Sequence, residues 1–342
     1  MLTLDGVRAL PEEFETSSLI DFLADGWGFD VEAADYAAVG GGSYHWVVND
    51  LKGTRGFATL DDLDRKPWFG ETRESVFEGL TGAFDTAVAL RDGGLDFVVA
   101  PIPADSGETV LRVGPHYTVA LFPFVDGQPG LFGQYEPAER AATLGMLAEL
   151  HRASPPVSAR RIDLELPGRR ELESALRELN QPWSGGPLSE PARELLAGHA
   201  SYVAELLALF DRLSAEVGSR SANWVVTHGE PHGGNVMRTG QTYALIDWDT
   251  VAVAPPERDL WMLADDHADL TAYTDATGHE VDQVAVDFFR LTWHLADVAA
   301  FSSLLRSPHR RSADTERAFE ALTYYATTRD RWGGAARLAP DR

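Results

Sequence analysis

The hydrophobic pattern of the chain changes its period near residue 125, and this change restricts the possible folds more than any other feature. Over residues 31–120, short runs rich in β-branched and aromatic residues alternate with glycine turns, and one helical pattern covers 71–92. After residue 136, long stretches follow the period of amphipathic helices. The sequence therefore predicts an α+β fold with a small β-rich first part and a larger helical second part.

The same pattern predicts the local structure of three segments. Residues 1–30 are expected to form a short helical lead-in. The segments FVVAPIP (97–103) and YTVALFPFV (117–125) are expected to be strands, because both are rich in β-branched or aromatic residues. The chain thus divides into an N-lobe over 1–121, a hinge over 122–127 and a helical C-lobe over 128–342.

The charge of the chain narrows the classes of partner. With 53 acidic against 29 basic residues, the net charge of −24 would repel nucleic acids and anionic membranes and attract a cationic small molecule. The acid surplus alternatively serves solubility alone. The absence of cysteine excludes disulfides and thiolate sites. We see no signal peptide, no apolar stretch of membrane-spanning length and no separate apolar seam, and therefore expect a cytoplasmic monomer.

Two short apolar strands, each followed by polar residues, carry the predicted chemistry: VVTHGEPHGGN (225–235) and ALIDWD (244–249). Phosphoryl transfer needs a carboxylate beside the attacking hydroxyl and oxygen ligands that hold Mg²⁺ against the phosphates. Glu230 and Asn235 have the five-residue spacing of the catalytic acid and metal-binding Asn of kinases. Asp247 follows the second strand, as the metal-binding Asp of kinases does. This pattern predicts a magnesium-dependent phosphotransferase.

The paired motifs HGEPHGGN and IDWD resemble the aminoglycoside phosphotransferase and choline kinase family, whose members read H-G-D-x-H-x-x-N and then I-D-[WF]. The segment DWDTVAVAPPERDLWML is similar to a following family segment, and its A-P-P-E-R-D-L form is most like the spectinomycin-type branch. LGMLAELHRA resembles the helix before the substrate helices, and LFPFVDG resembles the hinge that receives adenine. The resemblance spans most of residues 35–305 and implies a protein-kinase-like two-lobed fold.

The resemblance also implies a role for each motif position. Asn235 and Asp247 would bind Mg²⁺, and Glu230 would stand where the family has its catalytic Asp. His228 would support the catalytic loop through hydrogen bonds, and His232 would anchor the turn in the same way. Asp249 stays open between a supporting acid and a solvated side chain. ATP or GTP would be the phosphate donor.

The glycine-rich segment GGGSYH (40–45) lies between two predicted strands, where its backbone N–H groups would cover the nucleotide phosphates. An ordinary hairpin turn is the alternative, but the downstream motifs favour the nucleotide interpretation. The predicted nucleotide site comprises Gly40, Gly41, Gly42, Ser43, His45, Lys66, Pro123, Phe124 and Val125.

The sequence departs from the family at the lysine that grips the phosphates from the third strand. Thr59 stands at that position, and the only lysines are Lys52 and Lys66. Lys66 is the predicted substitute, because it follows the strand and can turn back toward the cleft; it is alternatively a solvated surface lysine. Other basic candidates are Arg55 and Arg65. The first long helix, which supplies the lysine's partner in kinases, offers Glu74 and Glu78, neither of which has a secure role.

The second departure is Glu230, which is one methylene longer than the family's Asp. Two departures together leave an alternative function, a pseudokinase that binds nucleotide or ligand without efficient catalysis. The presence of both metal-binding candidates, Asn235 and Asp247, favours catalysis. A protein side chain as the acceptor is disfavoured, because no activation-loop stretch separates Asp247 from Pro255.

The acceptor pocket would lie between the catalytic loop and the helices after it, as the resemblance implies. The predicted substrate-binding residues are Asp265, Asp266, Trp293 and Asp297. Their carboxylates would pair with ammonium groups and the indole would stack on a ring, although helix capping, hydration or core packing would also explain such residues. The acids favour an aminoglycoside or aminocyclitol acceptor, and a nucleoside antibiotic stays open. The expected function is resistance or self-protection by phosphorylation of an antibiotic hydroxyl.

Overall fold

The computed structural model describes residues 10–11, 14–220, 223–263 and 267–329. Within these residues the chain forms two compact units, one made of 10–162 with 223–281 and the other of 163–220 with 282–329. The predicted hinge at 122–127 falls inside the first unit, and the lobe boundaries stay a prediction.

Strands and helices alternate in the first third of the chain, and helices dominate the rest. The strands are β1 (Val31–Ala37), β2 (Tyr44–Asp50), β3 (Arg55–Asp62), β4 (Leu111–Val113), β5 (Tyr117–Pro123), β6 (Gln128–Pro129), β7 (Val225–Thr227), β8 (Val236–Thr239), β9 (Thr242–Leu245) and β10 (Ala252–Ala254). The helices are α1 (Thr16–Trp27), α2 (Arg73–Asp92), α3 (Pro137–Arg152), α4 (Arg169–Arg177), α5 (Ser189–Ser219), α6 (Glu257–Leu260), α7 (His267–Thr277), α8 (Gln283–Arg306) and α9 (Ala313–Thr327). This order confirms the predicted α+β class, with a β-sheet N-terminal region and a helical C-terminal region.

An antiparallel sheet of order β1-β2-β3-β5-β4 forms the N-terminal part of the first unit. Side chains alternate along its strands, as the two-residue period requires. Ala58 and Leu60 on β3 join the hydrophobic core beneath Leu19 and Leu23 of α1. On β5, Ala120 instead packs with Leu80 of α2. The two faces of the sheet are therefore covered by different helices.

The rest of the first unit brings two loops together. β7 pairs with β10, while β8 pairs with both β6 and β9. Buried side chains of these strands, including Val226, Val236 and Leu245, pack with Leu147 of α3 and with Trp248 in one hydrophobic core. Because β7 and β9 share this core, the loops that follow them, 228–235 and 246–251, lie side by side.

The segment 97–103 differs from its prediction as a strand. It makes isolated bridges, Val98 with Leu245 and Ile102 with Leu121, and no continuous ladder. Pro101 and Pro103 have no amide hydrogen to donate, which prevents a regular ladder along this run.

The described residues of the second unit form four helices and the loops that connect them. α5 packs on α8, and α8 also packs on α4 and α9. Its interior contains Leu172, Leu206, Phe210, Phe288 and Leu291, all buried. Among the helices that the structure describes, none combines the length and apolar character that crossing a bilayer requires.

Candidate active site

A buried carboxylate fixes the start of the loop that follows β7. The two oxygens of Asp259, on α6, accept hydrogen bonds from the backbone N–H groups of His228 (2.8 Å) and Gly229 (2.6 Å). The Nε2 atom of His151 lies 3.0 Å from the same carboxylate. Burial favours the neutral acid, but the hydrogen bond and charge of His151 outweigh it and lower the pKa of Asp259. The loop thus begins at a point held by two helices.

Gly229 is required where the loop turns. Its φ is +100°, and a Cβ atom there would lie 2.4 Å from the guanidinium of Arg258. That guanidinium donates to Oγ1 of Thr227 (2.8 Å) and to the carbonyl of Thr250 (2.9 Å). Arg258 therefore connects the loop after β7 to the loop after β9.

The imidazole of His228 also connects the two loops. Its Nε2–H donates to the carbonyl of Ile246 (2.9 Å), and its Nδ1 accepts from the backbone N–H of Glu230 (3.2 Å). Burial lowers the pKa of His228, so the ring is neutral at physiological pH. These bonds are those expected of a supporting histidine. Burial likewise lowers the pKa of His232 to about 3.

Asn235 lies between the two loops. Its Nδ2 donates to the carbonyl of Glu230 (2.9 Å), and its own carbonyl accepts from the N–H of Ile246 (3.0 Å). The side chain is buried. Asn235 thus connects the loop after β7 to Ile246 in the loop after β9.

Asp247, directly after Ile246, has an unusual backbone. Its φ is +66°, and no other non-glycine residue in the described part of the chain has a positive φ. Left-handed backbone at a residue with a Cβ is strained, and such strain collects at functional sites. Burial and the nearby charges of Asp249 and Asp61 raise the pKa of Asp247 to about 7, against the opposite effect of Lys66. The site thus carries more negative charge than its one lysine neutralises.

Lys66 enters the same cluster from the turn after β3. Its Nζ lies 2.6 Å from Oδ2 of Asp249 and 2.9 Å from Oδ1 of Asp61, and the residue is 1% exposed. Burial acts to lower the pKa of Lys66, but the two carboxylates outweigh it and raise that pKa, so the ammonium is charged. Lys66 is therefore not a solvated surface lysine, and Asp249 is not simply a solvated acid.

The glycine-rich segment lies over this cluster. A Cβ atom at Gly42 would be 3.9 Å from Nζ of Lys66. Ser43 Oγ donates to Oδ1 of Asp61 (2.5 Å), and His45 Nδ1 lies 3.1 Å from Oγ1 of Thr59. Ser43 and His45, two residues of the predicted nucleotide site, thus contact side chains of β3. Their contact with nucleotide phosphates stays a prediction. Gly40 has a left-handed φ of +69°, and Gly41 has open space where a Cβ would be.

The predicted hinge, 122–127, overlaps the last two residues of β5, which ends at Pro123. The N–H of Phe124 points to the carbonyl of Arg55 at 3.4 Å, and the guanidinium of Arg55 lies 3.6 Å from the centre of the Phe124 ring. Val125 follows, partly buried. These contacts tie the hinge to β3, and its contact with a nucleotide base stays a prediction.

A family comparison agrees with this geometry. The model of the Phosphotransferase enzyme family (APH) matches residues 73–301, more than half of the chain. The chain belongs to this family. The prediction of an enzyme, a small-molecule O-phosphotransferase, is confirmed, and so is the resemblance on which it rested.

Known proteins resemble the phosphotransferase over most of its length. Protein StrN of Streptomyces griseus is 28% identical over 267 residues, which are 76% of this chain and 81% of StrN. The spectinomycin phosphotransferase APH(9)-Ia, solved with ADP and spectinomycin, superposes with a TM-score of 0.71 at 19% identity over 91% of this chain and 94% of its own. The amicoumacin kinase hAmiN, solved with AMP-PNP and Ca²⁺, superposes with a TM-score of 0.59 at 14% identity, over 92% of this chain and 93% of its own. At these identities, the two solved structures confirm the protein-kinase-like fold.

The structure describes two of the four predicted substrate-binding residues of the phosphotransferase. Asp265 and Asp266 lie outside the described residues. Trp293 and Asp297 lie on α8 of the second unit, where Trp293 Nε1 points to the hydroxyl of Tyr325 at 3.4 Å. Burial raises the pKa of Asp297 to about 7, against hydrogen bonds from Tyr325 and Trp293. Their role in acceptor binding stays a prediction.

Sequence reasoning missed three residues of the phosphotransferase site: Asp61, Arg258 and Asp259. The two-residue period of β3 places Asp61 on the same strand face as Thr59, the expected lysine position, and this signal was available. The sequence around Arg258 and Asp259 does not show whether these charged residues hold the loop after β7 or face solvent from a helix. The helical acid Glu74 ion-pairs with Arg112 (2.5 Å) and not with Lys66.

Proposed function

We propose that this phosphotransferase moves the γ-phosphate of ATP or GTP to a hydroxyl of a small antibiotic-like molecule. The observation that carries the proposal is the acid-rich cluster of Asp247, Asp249 and Asp61 around the cation Lys66, beneath the glycine-rich segment. An excess of negative charge favours the binding of a cation, and backbone N–H groups above it favour the binding of phosphate.

The residues at the site fit Mg²⁺. A carboxylate and an amide oxygen, from Asp247 and Asn235, are the hard oxygen ligands that Mg²⁺ takes, and the raised pKa of Asp247 marks a carboxylate that lacks a compensating charge. Mg²⁺ binds to one or two protein ligands and completes its shell with water and nucleotide phosphates, so Asp247 and Asn235 would suffice as protein ligands.

In the proposed reaction, Glu230 accepts the proton of the acceptor hydroxyl while the hydroxyl oxygen attacks the γ-phosphorus. The new P–O bond forms as the bond from the γ-phosphorus to the β,γ-bridging oxygen breaks, and the nucleoside diphosphate leaves with that electron pair. The chemistry supplied by a bound Mg²⁺ is neutralisation of charge on the β- and γ-phosphates. Lys66 contributes a second positive charge on the phosphates.

The proposed acceptor is an aminoglycoside or aminocyclitol, with a nucleoside antibiotic as the neutral alternative. The net charge of −24 supports a cationic acceptor. Spectinomycin, the molecule bound in APH(9)-Ia, is the first compound to test. Phosphorylation would give resistance or self-protection. We place the enzyme in the cytoplasm, where nucleoside triphosphates are made, and propose that it is a monomer.

Mass spectrometry of an antibiotic panel incubated with enzyme, Mg²⁺ and either ATP or GTP tests this proposal. We expect one compound to gain a single phosphate.

Asp247→Ala should abolish transfer, and Asn235→Ala should raise the Mg²⁺ concentration needed for half-maximal rate. Glu230→Gln should lower kcat by about a hundredfold or more, with little change in the nucleotide KM.

Asp275→Asn is the matched control, because Asp275 is exposed on α7 and should leave every parameter unchanged. Unchanged turnover in Glu230→Gln would disprove the assignment of the base. Nucleotide binding without any phosphorylated product across the panel would count against transfer to this class of acceptor.

A further inference from the structure

We propose that Asp61 positions Lys66 as the phosphate-binding cation. In kinases the lysine lies on the third strand and its acidic partner on the first long helix. Here the acid would lie on β3 and the lysine after the turn that follows β3, so α2 would supply neither. This inference rests on the proposed function and adds a positioning residue to it. It also assigns Ser43 a part, since Ser43 shares the carboxylate of Asp61.

The register of the sheet places Asp61 in the cleft. Phe57, Thr59 and Asp61 alternate with the core residues Ala58 and Leu60, so they share the opposite face of β3. A lysine at position 59 would project from this face. Asp61 projects from it two residues later, at 1% exposure.

Lys66 reaches the same place from outside the strand. β3 ends at Asp62, and a short 3-10 turn, Leu63–Arg65, reverses the chain before Lys66. Its Nζ then meets Oδ1 of Asp61 at 2.9 Å and Oδ2 of Asp249 at 2.6 Å. An ammonium has three N–H donors, and these two ion pairs use two of them. We assign the third N–H to a phosphate oxygen beneath Gly42.

Asp61 also connects the lysine to the glycine-rich segment. Its Oδ1 accepts from Ser43 Oγ at 2.5 Å and from Lys66, so one oxygen joins a residue next to Gly42 and the cation below it. In the described part of the chain, no hydrogen-bond donor reaches the buried Oδ2 atom of Asp61. The carboxylate thus joins Lys66 to the residue next to Gly42, and its removal would release Lys66 from its position beneath that glycine.

The acids on α2 do not perform this function. Glu74 ion-pairs with Arg112, and Glu78 is exposed. Instead, Leu80 and Phe84 of α2 pack against the sheet as hydrophobic core. A charged partner for the lysine therefore has to come from another element, and Asp61 and Asp249 supply it.

The test compares binding of the Mg²⁺ complex of ATP with binding of adenosine, by calorimetry, in wild type and in Asp61→Asn. If GTP is the donor, the pair is GTP and guanosine. We expect the dissociation constant of the triphosphate to rise about tenfold or more, because a charge-assisted contact to phosphate is lost, while that of the nucleoside stays unchanged. Asp62→Asn is the matched control, since Asp62 is the next residue on β3 and its carboxylate contacts the backbone N–H of Asp64 and the guanidinium of Arg65.

Lys66→Met and the double variant Asp61→Asn/Lys66→Met complete a cycle. If Asp61 acts through Lys66, the double variant should bind the triphosphate no more weakly than Lys66→Met alone. Equal weakening of nucleoside and triphosphate in Asp61→Asn would reduce Asp61 to a structural residue and overturn the proposal. Unchanged triphosphate binding in Asp61→Asn would also overturn it. The same holds if the losses of triphosphate affinity in the two single variants add up in the double variant. Should Asp61→Asn fail to fold, the comparison of the double variant with Lys66→Met decides alone.

This outcome is separable from failure of the proposed function. If wild type neither binds a triphosphate nor transfers phosphate, the proposed function fails. If wild type does both and the Asp61 variants behave like Asp62→Asn, only the positioning role fails.

Discussion

At the scale of single residues, Asp247 combines features that rarely occur together. It has a left-handed backbone, and its pKa is raised to about 7 by desolvation and by the charges of Asp249 and Asp61. Each of these costs stability in the absence of a compensating cation. Such a combination is typical of a residue retained for function.

The raised pKa predicts that Mg²⁺ binding depends on pH. Only the ionised carboxylate binds the metal ion, and a raised pKa means that Asp247 keeps its proton up to about pH 7. Below that pH the proton competes with Mg²⁺, so affinity should fall by up to about tenfold per pH unit. Titration of Mg²⁺ into the enzyme at pH 8 and pH 6 checks this, and equal affinity at the two values would contradict it.

The site residues differ in how well the sequence predicted them. The spacing of Glu230, Asn235 and Asp247 is local, so the motif predicted the loops that the structure brings together. Lys66 was chosen only by its position after β3, and its burial between two acids depends on a turn that no motif marks. Asp61 belongs to no motif, and only the two-residue period of β3, continued from Thr59, places it on the same strand face.

At the scale of elements, the short helix α6 holds the loop that follows β7. Its Asp259 binds two backbone amides of that loop, and Arg258 packs where Gly229 leaves room. The sequence predicted a helix in this segment but could not show which of its charges would be buried, because burial depends on α3 and β7, which are distant in sequence.

Gly229→Ala tests the fit between the loop and α6. The new Cβ would lie 2.4 Å from the guanidinium of Arg258, at a residue whose φ is +100°. We expect the free energy of unfolding, measured in urea, to fall by about 1–3 kcal/mol.

Gly145→Ala is the matched control for this change. Gly145 lies within α3, and its Cβ would have nothing within 4 Å, so the same substitution should be neutral or stabilise the helix by up to about 1 kcal/mol. Equal effects of the two substitutions would show that the approach of Arg258 does not constrain the loop.

At the scale of the whole molecule, the change of hydrophobic period near residue 125 predicted the α+β fold that the structure shows. Period and composition report how each segment is buried, and this is enough for the class of the fold. The acceptor depends on which distant segments meet around it, and neither period nor local motif encodes that. The net charge of −24 constrains the acceptor's charge more than its identity.

The central claim is that the loops after β7 and β9 hold a magnesium ion against the terminal phosphate. A crystal structure with Mg²⁺ and a non-hydrolysable nucleotide tests it most directly. We predict a metal ion about 2.1 Å from the side-chain oxygens of Asn235 and Asp247, with Glu230 facing the γ-phosphate and Lys66 bound to a phosphate oxygen. A nucleotide whose phosphates and metal ion lie away from these four residues would contradict the account.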